Sequence, residues 1–168
     1  SYVHSPRTGE KTALPTRAPE RRRALGAADP LAAIPRDAEL IGIALVKNEC
    51  DIIESFVRYN LRVLDGLAVV DHGSTDGTGA ILARLCDEGL PLLVVDEGGP
   101  AQLQAPRMNA LLGRVRAARQ PLLVFALDGD ELIRVADREA LLRACAACPA
   151  DRAPALPWVT YMPTVGDD

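Results

Sequence analysis

Short apolar runs that alternate with amphipathic segments constrain the fold of this chain more than any other feature of its sequence. The runs at 40–46, 67–70, 92–95 and 122–127 have the length and the continuous apolar character of buried strands. A similar run at 156–162 predicts a fifth strand. Strands that alternate with helices predict an α/β fold, in which a mostly parallel sheet is covered by helices on both faces.

Four amphipathic segments between and after these runs predict the helices. Polar residues that can cap a helix N-terminus precede two of them, and Gly or Pro follows where these helices end. The predicted helices cover 51–64, a stretch from Asp76 or Thr78 to Gly89, 106–119, and a stretch from Asp137 to Pro149.

The composition excludes several classes of protein. The chain has 168 residues, of which 48% are hydrophobic and 25% charged, a balance that excludes a collagen-like, disulfide-scaffold or wholly disordered chain. Its net charge of −4 argues against general nucleic-acid binding. No apolar run approaches the ~20 residues of a membrane span, and no signal peptide is predicted. We therefore expect no transmembrane segment and a cytoplasmic location.

The charge is unevenly distributed along the chain. Residues 1–36 contain seven Lys or Arg against three Asp or Glu, whereas the remainder is strongly acidic. Pro residues also interrupt this first part. We interpret 1–37 as a basic, Pro-rich arm or linker that is loosely ordered, and 38–168 as the folded domain. A solvated tail is favoured over an arm that contacts anionic lipid or a partner.

Acidic and small polar residues follow three of the predicted strands. They are Lys47-Asn48-Glu49, the stretch Asp71-His72-Gly73-Ser74-Thr75-Asp76-Gly77-Thr78, and Asp128-Gly129-Asp130-Glu131. In open α/β sheets, ligands bind beyond the carboxyl ends of the strands. The sequence therefore predicts a binding site where these three strand ends meet.

Asp128 and Asp130 form the sharpest pattern in the sequence. Two carboxylates that flank Gly129 on one turn can converge on a single divalent cation, and hard oxygen ligands suit Mg²⁺ or Mn²⁺. Such a cation usually keeps positions that substrate phosphates fill. The alternative is an ordinary polar turn, since Asp and Gly are both good turn formers.

The other two strand ends also have two interpretations. Asp71 can accept hydrogen bonds from a ribose or a base, or the stretch after it is only a Gly-rich turn that caps a helix. Asn48 and Glu49 either take part in the binding site or are an ordinary loop or N-cap pair. Arg107 contacts a diphosphate if its loop faces the same edge of the sheet, and is otherwise solvated surface. For His72, a solvent-facing loop position is favoured over a general base.

Four motifs, taken together and in order, resemble a known family. The segments ALVKNECDIIESFVRYNL, VVDHGSTDGTGAIL, APRMNALL and VFALDGDELI are similar to those of the family 2 glycosyltransferases, which have the GT-A fold. The closest resemblance, over about residues 39–165, is to a bacterial subgroup with KNE, DxGSTDGT and DxDE motifs. The resemblance implies glycan biosynthesis by transfer of a sugar, with inversion, from a nucleotide-diphosphate donor to a glycan, lipid-linked or protein acceptor, at the inner face of the membrane.

The resemblance also implies roles for single residues. The DxD motif corresponds to Asp128 and Asp130, which would hold Mn²⁺ or Mg²⁺ and, through Asp128, the donor nucleotide. The remaining donor-binding positions correspond to Asn48, Glu49, Asp71 and Arg107. The family's general base is usually a carboxylate of the acceptor-binding half. We expect that half, and therefore the base, to lie beyond this chain.

Two alternatives remain beside a glycosyltransferase. The first is a non-catalytic or truncated module that binds a nucleotide-sugar. The second is another phosphate enzyme, such as a nucleotidyltransferase or a haloacid-dehalogenase-like phosphatase. The phosphatase would need DxDxT after the first strand, which here ends in Lys47-Asn48-Glu49, and Leu132 stands where that Thr would follow Asp128. The two carboxylates Asp128 and Asp130 favour the transferase.

Overall fold

Strands and helices alternate along the part of the chain that the structure, a computed structural model, describes: residues 29, 31–98 and 104–147. The elements are β1 Leu40–Val46, α1 Ile53–Asn60, β2 Gly66–Asp71, α2 Thr78–Asp87, β3 Leu92–Asp96, α3 Gln104–Ala118, β4 Leu123–Leu127 and α4 Arg138–Ala146. The predicted fifth strand, 156–162, lies outside the described residues. Within them, no helix is long and apolar enough to cross a membrane.

The four strands form one sheet in which every neighbouring pair is parallel. Their order is β3-β2-β1-β4, so β1 is flanked by β2 on one side and by β4 on the other. The direction in which strands are added reverses between β1 and β4, which makes this the switch point of the sheet. The predicted α/β class with a parallel sheet is confirmed.

Helices cover both faces of the sheet, as predicted. Side chains of β1 alternate between two cores, because successive residues of a strand point to opposite faces. One core includes Phe56 of α1, Leu82 of α2 and Leu141 of α4, all essentially fully buried. The opposite core includes Leu111 and Val115 of α3.

The packed body begins before residue 38, the predicted start of the domain. Leu31 and Ile34 are 0% and 1% exposed and belong to the same core as α3. The guanidinium of Arg119 is also buried there, and it donates to the carbonyl oxygens of Leu31 and Ile34. It forms an ion pair with Asp29 at 3.0 Å. The last part of the predicted arm is therefore core, while residues 1–28 and 30 lie outside the described residues.

Local signals place some helix ends better than others. Asp137 caps α4 as predicted, since its Oδ1 accepts a hydrogen bond from the Ala140 backbone N–H at 2.7 Å. The first helix was predicted to reach residue 64, but α1 ends at Asn60. Tight turns over residues 61–63 follow, because the chain must reverse before β2 can begin at Gly66.

Candidate functional site

The carboxyl ends of β1, β2 and β4 meet at one edge of the sheet, beside the switch point. Val46 pairs with Asp71 across β1 and β2, and Ala44 pairs with Leu127 across β1 and β4. The residues that follow these strands are therefore neighbours in space. The structure brings Glu49, Asp71 and the Asp128–Asp130 turn to this edge, as the sequence predicted.

Hydrogen bonds join the loop after β1 to the loop after β2. We call this set of bonds the strand-end brace. Three consecutive backbone N–H groups of the first loop each find a side-chain acceptor in the second. The Asn48 N–H donates to Ser74 Oγ at 2.9 Å, that of Glu49 to Thr78 Oγ1 at 2.8 Å, and that of Cys50 to Asp76 Oδ2 at 3.0 Å. The Ser-Thr-Asp-Gly-Thr stretch therefore holds the β1 loop, a role that its sequence did not reveal.

Asn48 completes the strand-end brace in the opposite direction. Its Oδ1 accepts a hydrogen bond from the Thr75 backbone N–H at 2.9 Å. Its backbone has φ of +58°, a left-handed conformation that Asn tolerates better than most residues. The side-chain oxygen of Asn48 thus binds protein rather than solvent, and a nucleotide contact by this residue stays a prediction.

Asp71 is buried at the end of β2, with 6% of its surface exposed. Its Oδ1 accepts a hydrogen bond from the Ser74 backbone N–H at 2.9 Å. Its Oδ2 lies 3.0 Å from the position that a Cβ atom on Gly79 would occupy. Any side chain at residue 79 would therefore crowd this carboxylate, so the glycine allows α2 to begin directly beside Asp71.

His72 is buried, which corrects the prediction that it faces solvent. Only 4% of its surface is exposed, and its backbone N–H donates to the Val46 carbonyl oxygen at 2.9 Å. The Nδ1 atom lies 3.1 Å from the Glu97 carbonyl oxygen and also contacts the guanidinium of Arg107. The imidazole is therefore enclosed between the ends of β2 and β3 and the start of α3.

Arg107 does face this edge of the sheet, so the solvated-surface alternative is wrong. Its side chain is 11% exposed, and Nη2 donates to the Gly98 carbonyl oxygen at 2.9 Å. With the contact to His72, this fixes the guanidinium against the loop after β3. Its predicted interaction with a diphosphate stays a prediction, because these donors are already engaged within the protein.

The turn after β4 is closed by its own hydrogen bonds. The Glu131 N–H donates to the Asp128 carbonyl oxygen at 3.0 Å, and Glu131 Oε2 accepts from the Asp128 N–H at 3.0 Å. The carboxylates of Asp128 and Asp130 are in exposed residues, and within 29, 31–98 and 104–147 neither takes part in a hydrogen bond or an ion pair. Their negative charges are thus not compensated by the described protein.

Asn60 attaches the segment after this turn to α1. It is 0% exposed, its Nδ2 donates to the Glu131 carbonyl oxygen and its Oδ1 accepts from the Ile133 N–H, both at 2.9 Å. The sequence did not reveal Asn60 as part of the site. One signal was present: Asn60 lies on the buried face of α1 with Ile53, Phe56 and Val57, where an amide needs specific partners.

The partly buried Glu49 carboxylate lies among other acidic side chains. Burial raises its pKa, and the negative charges of Asp51, Asp130 and Asp76 raise it further. A Cβ atom on Gly129 would lie 3.4 Å from the Cγ of Glu49, so the glycine lets the Asp128–Asp130 turn pack closely against this side chain. The edge of the sheet therefore concentrates negative charge where a cation would be stabilised.

The donor set fits a hard divalent cation that is only partly coordinated by protein. Asp128 and Asp130 offer carboxylate oxygens without described partners, which suit Mn²⁺ or Mg²⁺. No group of three or more His, Cys, Asp or Glu side chains that could hold a metal occurs among the described residues. A cation on Asp128 and Asp130 would therefore need further ligands from water or from a bound phosphate.

Replacing Glu49 with Gln is expected to stabilise the metal-free protein at neutral pH. Burial raises the pKa of Glu49 in the folded state above its ordinary value, so the folded state holds this proton more tightly and stability is lost as pH rises from below the ordinary pKa through the raised one. In EDTA, Glu49→Gln should raise Tm by roughly 2 °C at pH 7 and leave it unchanged near pH 3.5. Thermal unfolding at both pH values measures this, and a lower Tm at pH 7 would contradict it.

Comparisons with solved structures include a weak likeness to a glycosyltransferase. The mannosyltransferase PcManGT from Pyrobaculum calidifontis, in complex with GDP-Man and Mn²⁺, is 27% identical to this chain with a TM-score of 0.47. The match covers 76% of this chain but 36% of the mannosyltransferase, so this chain spans little more than a third of that protein's length. No protein-family model and no curated protein matches the chain. A likeness at this TM-score does not assign an activity.

Proposed function

We propose that this chain is the donor-binding part of a metal-assisted glycosyltransferase, which takes a nucleotide-diphosphate sugar as its substrate. One observation carries the proposal. At the switch point of a parallel sheet, the buried Asp71 and the half-buried Glu49 lie beside a turn with two uncompensated carboxylates, Asp128 and Asp130. Asp71 and Glu49 can accept hydrogen bonds from the hydroxyl and N–H groups of a nucleoside. The two exposed carboxylates can bind a divalent cation that a diphosphate also coordinates.

The proposed roles follow from what each group can do chemically. Asp128 and Asp130 hold Mn²⁺ or Mg²⁺, and Asp71 accepts hydrogen bonds from the ribose or base. When bound, the cation offsets the negative charge that develops on the departing nucleoside diphosphate. Arg107, held near this edge by Gly98 and His72, adds a positive charge on the same side.

The sugar transfer itself requires groups that the described residues do not provide. An acceptor hydroxyl attacks the anomeric carbon from the face opposite the diphosphate, the C–O bond to the diphosphate breaks, and a general base takes the hydroxyl proton. This displacement inverts the anomeric configuration. We assign the base to the acceptor-binding half of the whole protein, and we place the reaction in glycan biosynthesis at the inner face of the membrane.

A non-catalytic nucleotide-sugar-binding module is the second candidate. It is favoured by the engagement of Asn48 with Thr75 and of Arg107 with Gly98 and His72, because these polar groups serve the fold without a ligand. The two candidates make the same prediction for binding and differ in turnover. Only the transferase releases nucleoside diphosphate from the donor when an acceptor and the remaining half of the protein are supplied.

Calorimetric titration of the full chain with UDP, GDP and their sugars, in Mn²⁺ and in EDTA, tests the proposal. We expect one nucleotide to bind at least about tenfold more tightly with Mn²⁺, since the cation links the diphosphate to two carboxylates. Circular dichroism establishes that the chain is folded under the same conditions. A folded chain that binds neither nucleotide, with or without Mn²⁺, would contradict the proposal.

A further inference from the structure

The Thr78 hydroxyl occupies a central place in the strand-end brace. Thr78 is 0% exposed, and its Oγ1 donates to Asp76 Oδ1 at 2.6 Å while accepting from the Glu49 backbone N–H at 2.8 Å. The other oxygen of the same carboxylate, Asp76 Oδ2, accepts from the Cys50 N–H at 3.0 Å. A single buried hydroxyl therefore connects the loop after β1 to the turn that begins α2.

The direction of these bonds is determined by the chemistry of the groups. A hydroxyl has one proton, and the ionised Asp76 can only accept, so the Thr78 proton is committed to Asp76 and a lone pair faces the Glu49 N–H. Hydrogen bonds from the Thr78 hydroxyl, and then from backbone N–H groups, hold the pKa of Asp76 well below its usual range. The acceptor therefore remains charged at any physiological pH.

Glu49 is the residue that needs such a restraint. Its carboxylate lies near Asp51, Asp76 and Asp130, whose like charges oppose its position. Repulsion would move a free loop away from the sheet edge, whereas a backbone bond to a fully buried hydroxyl opposes that movement. Thr78 is fixed in turn by α2, whose first residue it is.

We propose that Thr78 is a positioning residue of the donor site: its hydroxyl fixes the backbone of Glu49 and thereby holds the Glu49 carboxylate beside the Asp128–Asp130 turn. The inference rests on the proposed function, because it concerns the same site. Thr78 acts only through Glu49 and does not touch the nucleotide. Its effect on donor binding should therefore disappear when the Glu49 carboxylate is absent.

Three variants separate positioning from a general structural role. Thr78→Val keeps the shape but removes the hydroxyl, Thr78→Ser restores the hydroxyl, and Ser55→Ala removes a hydroxyl at an exposed residue of α1 that has no side-chain hydrogen bond among the described residues. In Mn²⁺ we expect Thr78→Val to weaken binding of the preferred nucleotide, UDP or GDP, by about tenfold or more. Thr78→Ser should remain within about threefold of the wild type, and Ser55→Ala within about twofold.

A double-mutant cycle with Glu49→Gln decides whether the effect passes through that carboxylate. We expect the loss caused by Thr78→Val to shrink to about twofold or less in the Glu49→Gln background. An equal loss in both backgrounds, or no loss in the wild-type background, would overturn the inference. If Thr78→Val does not fold, Thr78→Ala replaces it in the cycle, because Ala also lacks the hydroxyl, adds no charge and is a good helix former.

The same titrations distinguish failure of this inference from failure of the proposed function. If the wild-type chain binds neither UDP nor GDP, the proposed donor site is wrong, and the inference is overturned with it. If the wild-type chain binds but the Thr78 and Glu49 substitutions act independently, the site stands and only the positioning role is wrong.

Discussion

Asp130→Ala is expected to remove the Mn²⁺-dependent part of nucleotide binding while leaving the fold intact. Loss of a residue that only supports a metal ligand typically lowers metal affinity 10–100-fold. Loss of Asp130, a direct ligand in the proposal, should therefore lower Mn²⁺ affinity by more than about 100-fold. Asp130 is exposed and makes no hydrogen bond or ion pair within the described residues, so little stability depends on it. Calorimetric titration in Mn²⁺ measures the loss.

The matched control for this experiment is Asp87→Ala. Asp87 is also exposed, but it is the last residue of α2, which runs from the site back toward the amino ends of the strands. This variant removes one negative charge without touching the Asp128–Asp130 turn, and its binding should equal that of the wild type. Nucleotide binding that is unchanged by Asp130→Ala would exclude a metal role for the turn.

Arg119→Met is expected to destabilise the protein strongly. The Arg119 side chain is 1% exposed, bonds the carbonyl oxygens of Leu31 and Ile34, and pairs with Asp29. Met keeps the apolar stem but leaves the buried Ile34 carbonyl oxygen without its donors, and it removes one donor each from the Leu31 carbonyl oxygen and the Asp29 carboxylate. Breaking a buried ion pair in this way costs about 3 kcal/mol. Urea unfolding should show that loss, together with a fall in Tm of roughly 10 °C.

Arg116→Met serves as the control for Arg119→Met. Arg116 lies in the last turn of α3, three residues before Arg119, but it is exposed, so the same substitution should change the free energy of unfolding by less than about 0.5 kcal/mol. Equal stability of the two variants would show that the Arg119 contacts do not hold residues 29 and 31–34 to the sheet.

The strands were predictable because each is a short apolar run that needs burial on both faces. Residues 40–46 were predicted as a strand and β1 has the same bounds. The convergence of the site residues was predictable for the same reason, since parallel strands deliver the residues that follow them to one edge. Local pattern and sheet topology together therefore located Asp71, Glu49, Asp128 and Asp130.

Hydrogen-bond partners at the site were not predictable from the sequence. Asn60 bonds to residues more than 70 positions later, and Arg119 bonds to residues more than 80 positions earlier. Nothing in the local pattern around Leu31 distinguishes it from the Pro-rich arm that precedes it. His72 looked like a loop residue because its burial depends on Glu97 and Arg107, which reach it from other elements.

The strand order has a consequence for how the chain folds during its synthesis on the ribosome. Strand β1 can pair with β2 as soon as the chain up to Asp71 has been made, but the other side of β1 stays unpaired until β4 has been made, since Leu40 pairs with Leu123. A central apolar strand with an open edge is a template for unwanted pairing between chains. The part of the site held by the strand-end brace can thus form first. The Asp128–Asp130 turn is made directly after β4, the strand that pairs with the open side of β1.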